Sequence, residues 1–161
     1  MFQPIALQNA ITRRLDSTGT NSPRAHRLFD RALNTARVRR LWATLTARSR
    51  RLLDLATVEA GVTITGRHVA GAQIVPLDAI RGSLDRAGDF DCEFYPLNEH
   101  SANRWIRVAT AMLRDVTLPP VELIRVGDVY FVVDGHHRIS VARALKHSHV
   151  DAIVTEWTVT G

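Results

Sequence analysis

The sequence predicts an α/β (α+β) domain preceded by a basic, mostly helical N-terminal arm. Three observations carry this prediction. No glycine or proline occurs from residue 24 to residue 60, which favours helix. From Gly61 onward, short strand-like and helix-like segments alternate, which is typical of an α/β or α+β domain. Two runs of β-forming residues are separated by Gly127-Asp128, the signature of a two-residue hairpin. We therefore divide the chain into an arm (residues 1–60) and a domain (residues 61–161).

The composition limits the classes of protein to which the chain can belong. The 161 residues are 45% hydrophobic and 23% charged, as in soluble globular proteins. No apolar run approaches the roughly 18 residues that a membrane span needs. The first residues lack the features of a signal peptide, so we expect a cytoplasmic protein. Cys92 is the only cysteine, which excludes an internal disulfide framework and a multi-cysteine zinc site.

The arm carries most of the positive charge. Residues 1–51 hold eleven arginines and two aspartates, whereas residues 52–161 hold ten basic and fourteen acidic residues. Residues 1–22 contain a cluster of turn formers, and Ser22-Pro23 predicts a helix start. Apolar residues then follow helical spacing with one phase slip, and a second helical piece is expected at residues 50–58. Two interpretations stay open: a solvated arginine face around a stripe that packs on the body or a partner, or a surface for DNA, RNA or an acidic partner.

The domain begins with a predicted strand that enters a short helical turn at residues 77–80. Residues 81–100 read as a polar loop, and a loop of that length is usually functional or mobile. Ser101 is predicted to cap a helix. The hairpin of residues 121–134, a further helix and a last strand at residues 150–159 complete the order. The apolar side chains of the Ser101-capped helix recur at helical spacing: Trp105, Val108, Ala109 and Met112.

The stretch "VYFVVDGHHRISVARAL", residues 129–145, holds the candidate site. A strand stops at Asp134-Gly135, and His136, His137 and Arg138 fall in the first turn of the helix that follows. Cations are unfavourable there, because a helix N-terminus already carries partial positive charge. Free backbone N–H groups, the helix dipole and these side chains together would suit a phosphate. The sequence therefore predicts a phosphate-binding site at residues 134–138, with Arg138 as the main anchor and the histidines secondary.

Two other interpretations of the same residues remain open. Asp134 could pair with Arg138, or cap the helix, and leave an ordinary surface turn. Asp134, His136 and His137 could also bind a metal ion, although adjacent histidines diverge in direction and no further ligands stand out.

The stretch "LPPVELIRVGDVYFVVDGHHRISVARAL", preceded by "QIVPLDAI" and the helix of residues 101–114, resembles the ParB/sulfiredoxin-like superfamily. The resemblance covers residues 73–157 and implies a small domain with a mixed sheet, in which a strand–turn–helix binds nucleotide phosphates. Sulfiredoxins place a catalytic cysteine where this chain has His136, so sulfinic-acid reduction is not expected. The "DGHHR" form is closest to the free-serine kinases of the superfamily, in which a loop glutamate acts as base. Glu99 holds the matching position.

The resemblance implies a protein that binds CTP, ATP or ADP, with a regulatory or nucleic-acid-associated role. The alternative is a small-molecule phosphotransferase of the free-serine-kinase type, with Glu99 as base, and whether the protein is an enzyme is left open. A nuclease is a third hypothesis, which the sequence supports less well. Mg²⁺ could accompany the nucleotide, and Asp89, Asp91 and Glu93 offer carboxylates for it. A homodimer is also left open.

Overall fold

A computed structural model describes residues 22–46 and 51–160 of the chain. This part contains four α-helices, six strands and one short 3₁₀ turn. The turn-forming residues predicted before Ser22 lie outside the described residues. The helices are α1 (Pro23–Thr46), α2 (Leu55–Gly61), α3 (Ala102–Leu113) and α4 (His136–Ala144). The strands are β1 (Leu53–Asp54), β2 (Thr63–Pro76), β3 (Ile80–Ser83), β4 (Val121–Val126), β5 (Val129–Asp134) and β6 (His149–Thr160). The 3₁₀ turn spans Leu77–Ala79.

The six strands form one mixed sheet in the order β1-β3-β5-β4-β6-β2. β3 lies parallel to both β1 and β5, and β4 lies parallel to β6. The β4–β5 and β6–β2 pairs are antiparallel. The predicted α/β class, with a mixed sheet and an N-terminal helix, is confirmed. The Gly127-Asp128 hairpin is also present, and Gly127 takes the positive φ of 60° that such a tight turn favours.

Helix α1 begins as its sequence predicts. The Ser22 hydroxyl oxygen accepts a weak hydrogen bond from the Ala25 N–H at 3.4 Å, and Pro23 fills the first helical position. Phe29, on the buried side of α1, meets the fully buried Trp105 of α3 edge to face, with ring centroids 5.4 Å apart. The first half of α1 is therefore part of the core.

Two segments differ from the sequence prediction. Residues 50–58 were expected to be helical, but Leu53–Asp54 form a parallel edge strand against Gly82 and Ser83, and helix begins only at Leu55. The Asp54 carboxylate accepts the N–H of Ala56, which starts that helix and ends the strand. The division between residues 60 and 61 stays a prediction, although two residues on its N-terminal side join the sheet.

The expected polar loop of residues 81–100 is shorter and more apolar than predicted. Its first residues belong to β3, and Phe90, Phe94 and Tyr95 are buried. The Asp91 carboxylate accepts the N–H groups of Glu93 and Tyr95 at 2.9 Å, which folds the loop tip back on itself. The loop of residues 84–100 therefore forms part of the wall of the core, because its aromatic side chains have apolar partners.

Candidate functional site

The candidate site is built where β5 ends and α4 begins. Gly135 links them with φ of 101°, a conformation that side-chain-bearing residues rarely adopt. A Cβ on Gly135 would lie 2.5 Å from Cγ1 of Val121 on the neighbouring strand. Backbone shape and close packing therefore both require glycine here. The turn brings together the five predicted residues, Asp134, Gly135, His136, His137 and Arg138.

The Arg138 guanidinium is engaged by the protein itself. Nη1 donates to the carbonyl oxygens of Pro119 and Pro120 at 2.6 and 2.8 Å, and Nη2 pairs with the Asp134 carboxylate at 2.5 Å. Only 13% of the Arg138 side chain is exposed. Burial lowers its pKa, while the charge of Asp134 opposes that shift. This geometry corresponds to the Asp134–Arg138 pairing that the sequence left open, and it ties the segment before β4 to α4.

His136 is held in a neutral form. Its Nε2 lies 2.7 Å from the Ser83 hydroxyl, and that hydroxyl oxygen accepts the Arg86 N–H at 3.0 Å. Because the Ser83 hydroxyl can donate as well as accept, either imidazole tautomer of His136 can form this hydrogen bond. Burial, and then the charge of Arg86, lowers the pKa of His136 from 6.5 to about 4.

His137 is buried without a hydrogen-bond partner for Nε2 within the described part of the chain. Only 5% of the surface of His137 is exposed. Burial lowers its pKa from 6.5 to about 3, and the charges of Arg104 and Arg86 push in the same direction. Both histidines are therefore neutral near pH 6.5, the pH at which an imidazole with its ordinary pKa begins to gain charge. A buried ring nitrogen with no partner costs free energy, about 1–3 kcal/mol, which an incoming hydrogen-bonding group could recover.

Phe90 of the loop covers both histidines. Its ring stacks on His136, with an interplanar angle of 16° and centroids 6.1 Å apart, and meets His137 edge-on at 5.6 Å. Phe90 also lines a cavity of about 700 Å³ that contains Arg39, Arg40 and Arg51. The imidazoles are thus closed off by the loop, while a separate arginine-bearing cavity opens beside the same ring.

Two arginines, absent from the predicted site, act on the histidines electrostatically. Arg86 follows β3 and forms an ion pair with Asp89 at 2.8 Å, and Arg104 lies exposed on the first turn of α3. The charge of Arg86 contributes to the low pKa of both histidines, and that of Arg104 to the low pKa of His137. No signal in the sequence separated these two arginines from the others. Phe90 could have been found, because an aromatic residue in an apparently polar loop needs an apolar partner.

The predicted loop carboxylates lie against arginines. Glu99 is exposed and pairs with Arg37 of α1 at 2.9 Å. Asp89 pairs with Arg86, and Glu93 pairs with Arg39 at 2.5 Å. Among the described residues, no group of three or more His, Cys, Asp or Glu side chains could hold a metal ion. In the same part of the chain, no helix is long and apolar enough to cross a membrane.

Comparisons with known proteins add little. No family model matches the chain, and neither does any curated protein. Among solved structures, sulfiredoxin from Arabidopsis thaliana is similar to this chain at 19% identity, with a TM-score of 0.39. The match covers 52% of this chain and 82% of that one. This similarity is too low to carry an argument about function.

Proposed function

We propose that the N-terminus of α4 binds the phosphates of a nucleotide such as CTP, ATP or ADP. The observation that carries the proposal is the buried, unpartnered Nε2 of His137, which belongs to the first turn of a helix. The first N–H groups of a helix lack intrahelical acceptors and attract anions. The resemblance of "DGHHR" to a phosphate-binding turn, seen in the sequence, supports the same assignment.

The roles of the arginines in this proposal differ from the sequence expectation. In this proposal Arg86 and Arg104 contribute positive charge near the phosphates, because the charges of both already lower the pKa of the His137 imidazole. Arg138 positions the turn instead, since its donors are directed to Asp134 and to two proline carbonyls. His137 in its Nε2–H tautomer donates one neutral hydrogen bond.

Loop opening is part of the proposal. Phe90 lies against both imidazoles, so a phosphate reaches His137 only after the loop of residues 84–100 moves aside. The free energy of displacing Phe90 then weakens the apparent affinity, because only the open fraction of the protein binds. Nucleotide binding and loop position are therefore coupled.

The test is a calorimetric titration of the full chain with CTP, ATP, ADP and inorganic phosphate, with and without Mg²⁺. Arg86→Ala and Arg104→Ala should each weaken nucleotide binding by roughly ten-fold or more, since a hydrogen bond to a charged group is worth about 1.5–3 kcal/mol. Arg81→Ala, at an exposed position on β3, is the matched control for charge. Affinity that survives both substitutions, or falls equally in the control, would contradict the proposal.

A phosphotransferase of the free-serine-kinase type is the second proposal. The observation that favours it is that the Glu99 carboxylate is exposed, and within the described residues its ion-pair partner is Arg37. As a general base, Glu99 would contribute about 10²–10⁴-fold to turnover. Glu99→Gln should then abolish most phosphate transfer to serine while nucleotide affinity stays unchanged. Arg37→Gln, which breaks the same ion pair but keeps the base, is the control. Absence of transfer in the wild type rejects this proposal alone.

A further inference from the structure

The outward face of α1 is divided into a charged half and an apolar half. The inner face packs on the body, and its last buried residue is Ala36. On the outer face, side chains spaced three and four residues apart lie in one line along the helix. Its N-terminal half carries Arg24, Arg27 and Arg31, and its C-terminal half carries Val38, Leu41, Trp42 and Leu45.

The apolar half is unusually exposed. Val38, Leu41, Trp42 and Leu45 are 53%, 66%, 62% and 79% exposed. Single exposed apolar residues are ordinary, but a contiguous group of large ones marks an interaction surface. The four are neighbours at i, i+3, i+4 and i+7, so they form one continuous patch.

The charged half is not neutralised by the body. Within the described residues, Arg24, Arg27 and Arg31 form no ion pair, and all three are exposed. By contrast, Arg37 and Arg39 face the body and pair with Glu99 and Glu93. The helix therefore separates arginines that hold it to the body from arginines whose charge remains open to an anionic partner.

We infer that this face docks a segment of another protein that is acidic along one half and apolar along the other. Acidic side chains would pair with Arg24, Arg27 and Arg31, while apolar ones would cover the patch from Val38 to Leu45. The contact would be one helix against another, with anchors at three- and four-residue spacing. It goes beyond the proposed nucleotide site, because none of these residues belongs to that site.

Other occupants match the face less well. A second copy in parallel register would bring arginine against arginine, and an antiparallel copy would cover arginines with apolar side chains. Residues 1–21 carry Arg13, Arg14 and a single Asp16, so they have no acidic half. A nucleic-acid backbone would pair with the arginines but leave the aliphatic patch in water.

The experiment uses a synthetic helical peptide of 24 residues, matched to the length of α1, as the probe. Glutamates occupy one half and leucines the other, at three- and four-residue spacing. A control peptide of the same composition interleaves them. We expect the matched peptide to bind the full chain at least about ten-fold more tightly by fluorescence anisotropy. Trp42 emission should shift to the blue on binding, and Trp42→Phe should remove that shift.

Two variants separate the halves. Leu41→Ser and Arg27→Ser should each weaken binding of the matched peptide by about ten-fold, and only the contribution of Arg27 should fall with added salt. Both positions are exposed, so the melting temperature should not change. Arg37→Ser, on the paired side, is the control and should have little effect on binding.

Several results would overturn the inference. Equal affinity for the two peptides removes the requirement for separate halves. Tighter binding of duplex or single-stranded nucleic acid, dependent on Arg27 but not on Leu41, identifies a nucleic-acid surface instead. Self-association that is lost in Leu41→Ser identifies a second copy as the occupant. Peptide affinity that rises when residues 1–21 are removed identifies that segment as the natural cover.

Discussion

Gly135 is the residue on which the geometry of the candidate site depends most directly. Gly135→Ala meets both an unfavourable φ and the side chain of Val121, so we expect it to lower the free energy of unfolding by about 3 kcal/mol. Gly127→Ala is the matched control, because φ is also positive there but nothing lies within 4 Å of its Cβ. It should cost only about 1 kcal/mol. Urea denaturation of both variants measures the difference, and equal losses would contradict the described packing.

The two site histidines predict a specific pH dependence. Their pKa values are about 4 and 3 in the folded protein and near 6.5 when unfolded. Between these values the unfolded state binds more protons, so stability is full above pH 6.5 and falls as the pH decreases. Each histidine should contribute a slope of about 1.4 kcal/mol per pH unit.

Chemical denaturation between pH 6.5 and 5 measures that slope before most carboxylates titrate. His137→Asn should make it shallower, because it removes one of the two imidazoles with a lowered pKa. A slope that is the same in the wild type and in His137→Asn would mean that this imidazole is not buried in its neutral form.

At the scale of elements, Arg138 joins three parts of the fold. It belongs to α4, pairs with Asp134 at the end of β5, and holds the carbonyls of Pro119 and Pro120 before β4. We expect Arg138→Ala to lower the free energy of unfolding by roughly 1.5–3 kcal/mol, because Asp134 and two carbonyls lose a charged donor. Arg125→Ala, whose side chain makes looser surface ion pairs, should cost less than about 1 kcal/mol. Thermal melting of both variants checks the difference. Unchanged stability in Arg138→Ala would contradict this structural role and favour the phosphate anchor that the sequence predicted.

The elements also show what the sequence could predict. The hairpin, the α1 start and the strand–glycine–helix turn depend on local chemistry, so Ser22, Gly127 and Gly135 indicated them. The edge strand at Leu53–Asp54 could not be predicted, because two residues carry no periodicity and the pairing with β3 is non-local. The pairing of Arg138 with Asp134 was one of the interpretations left open, but its bonds to Pro119 and Pro120 could not be predicted, because these acceptors are backbone carbonyls some eighteen residues away.

In the whole molecule, the arginines of α1 that help make the N-terminal arm basic lie on two different sides of that helix. Some arginines of the arm hold α1 to acidic side chains of the body, and others remain open on its outer face. The net charge of the arm alone could not distinguish these groups, because pairing depends on which side of α1 meets the loop. The proposed nucleotide site lies elsewhere, under Phe90 at the start of α4. The two surfaces can therefore be tested independently.

Amide NMR mapping tests whether nucleotide phosphates bind at the first turn of α4. The ¹⁵N-labelled full chain would be titrated with CTP and ATP. We predict that the largest shifts fall on the backbone amides of His136, His137 and Arg138, together with Nε2 of His137, and that Phe90 shifts as the loop opens. Shifts centred instead on Arg39, Arg40 and Arg51 around the neighbouring cavity, or no shifts at all with excess nucleotide, would contradict binding at this turn.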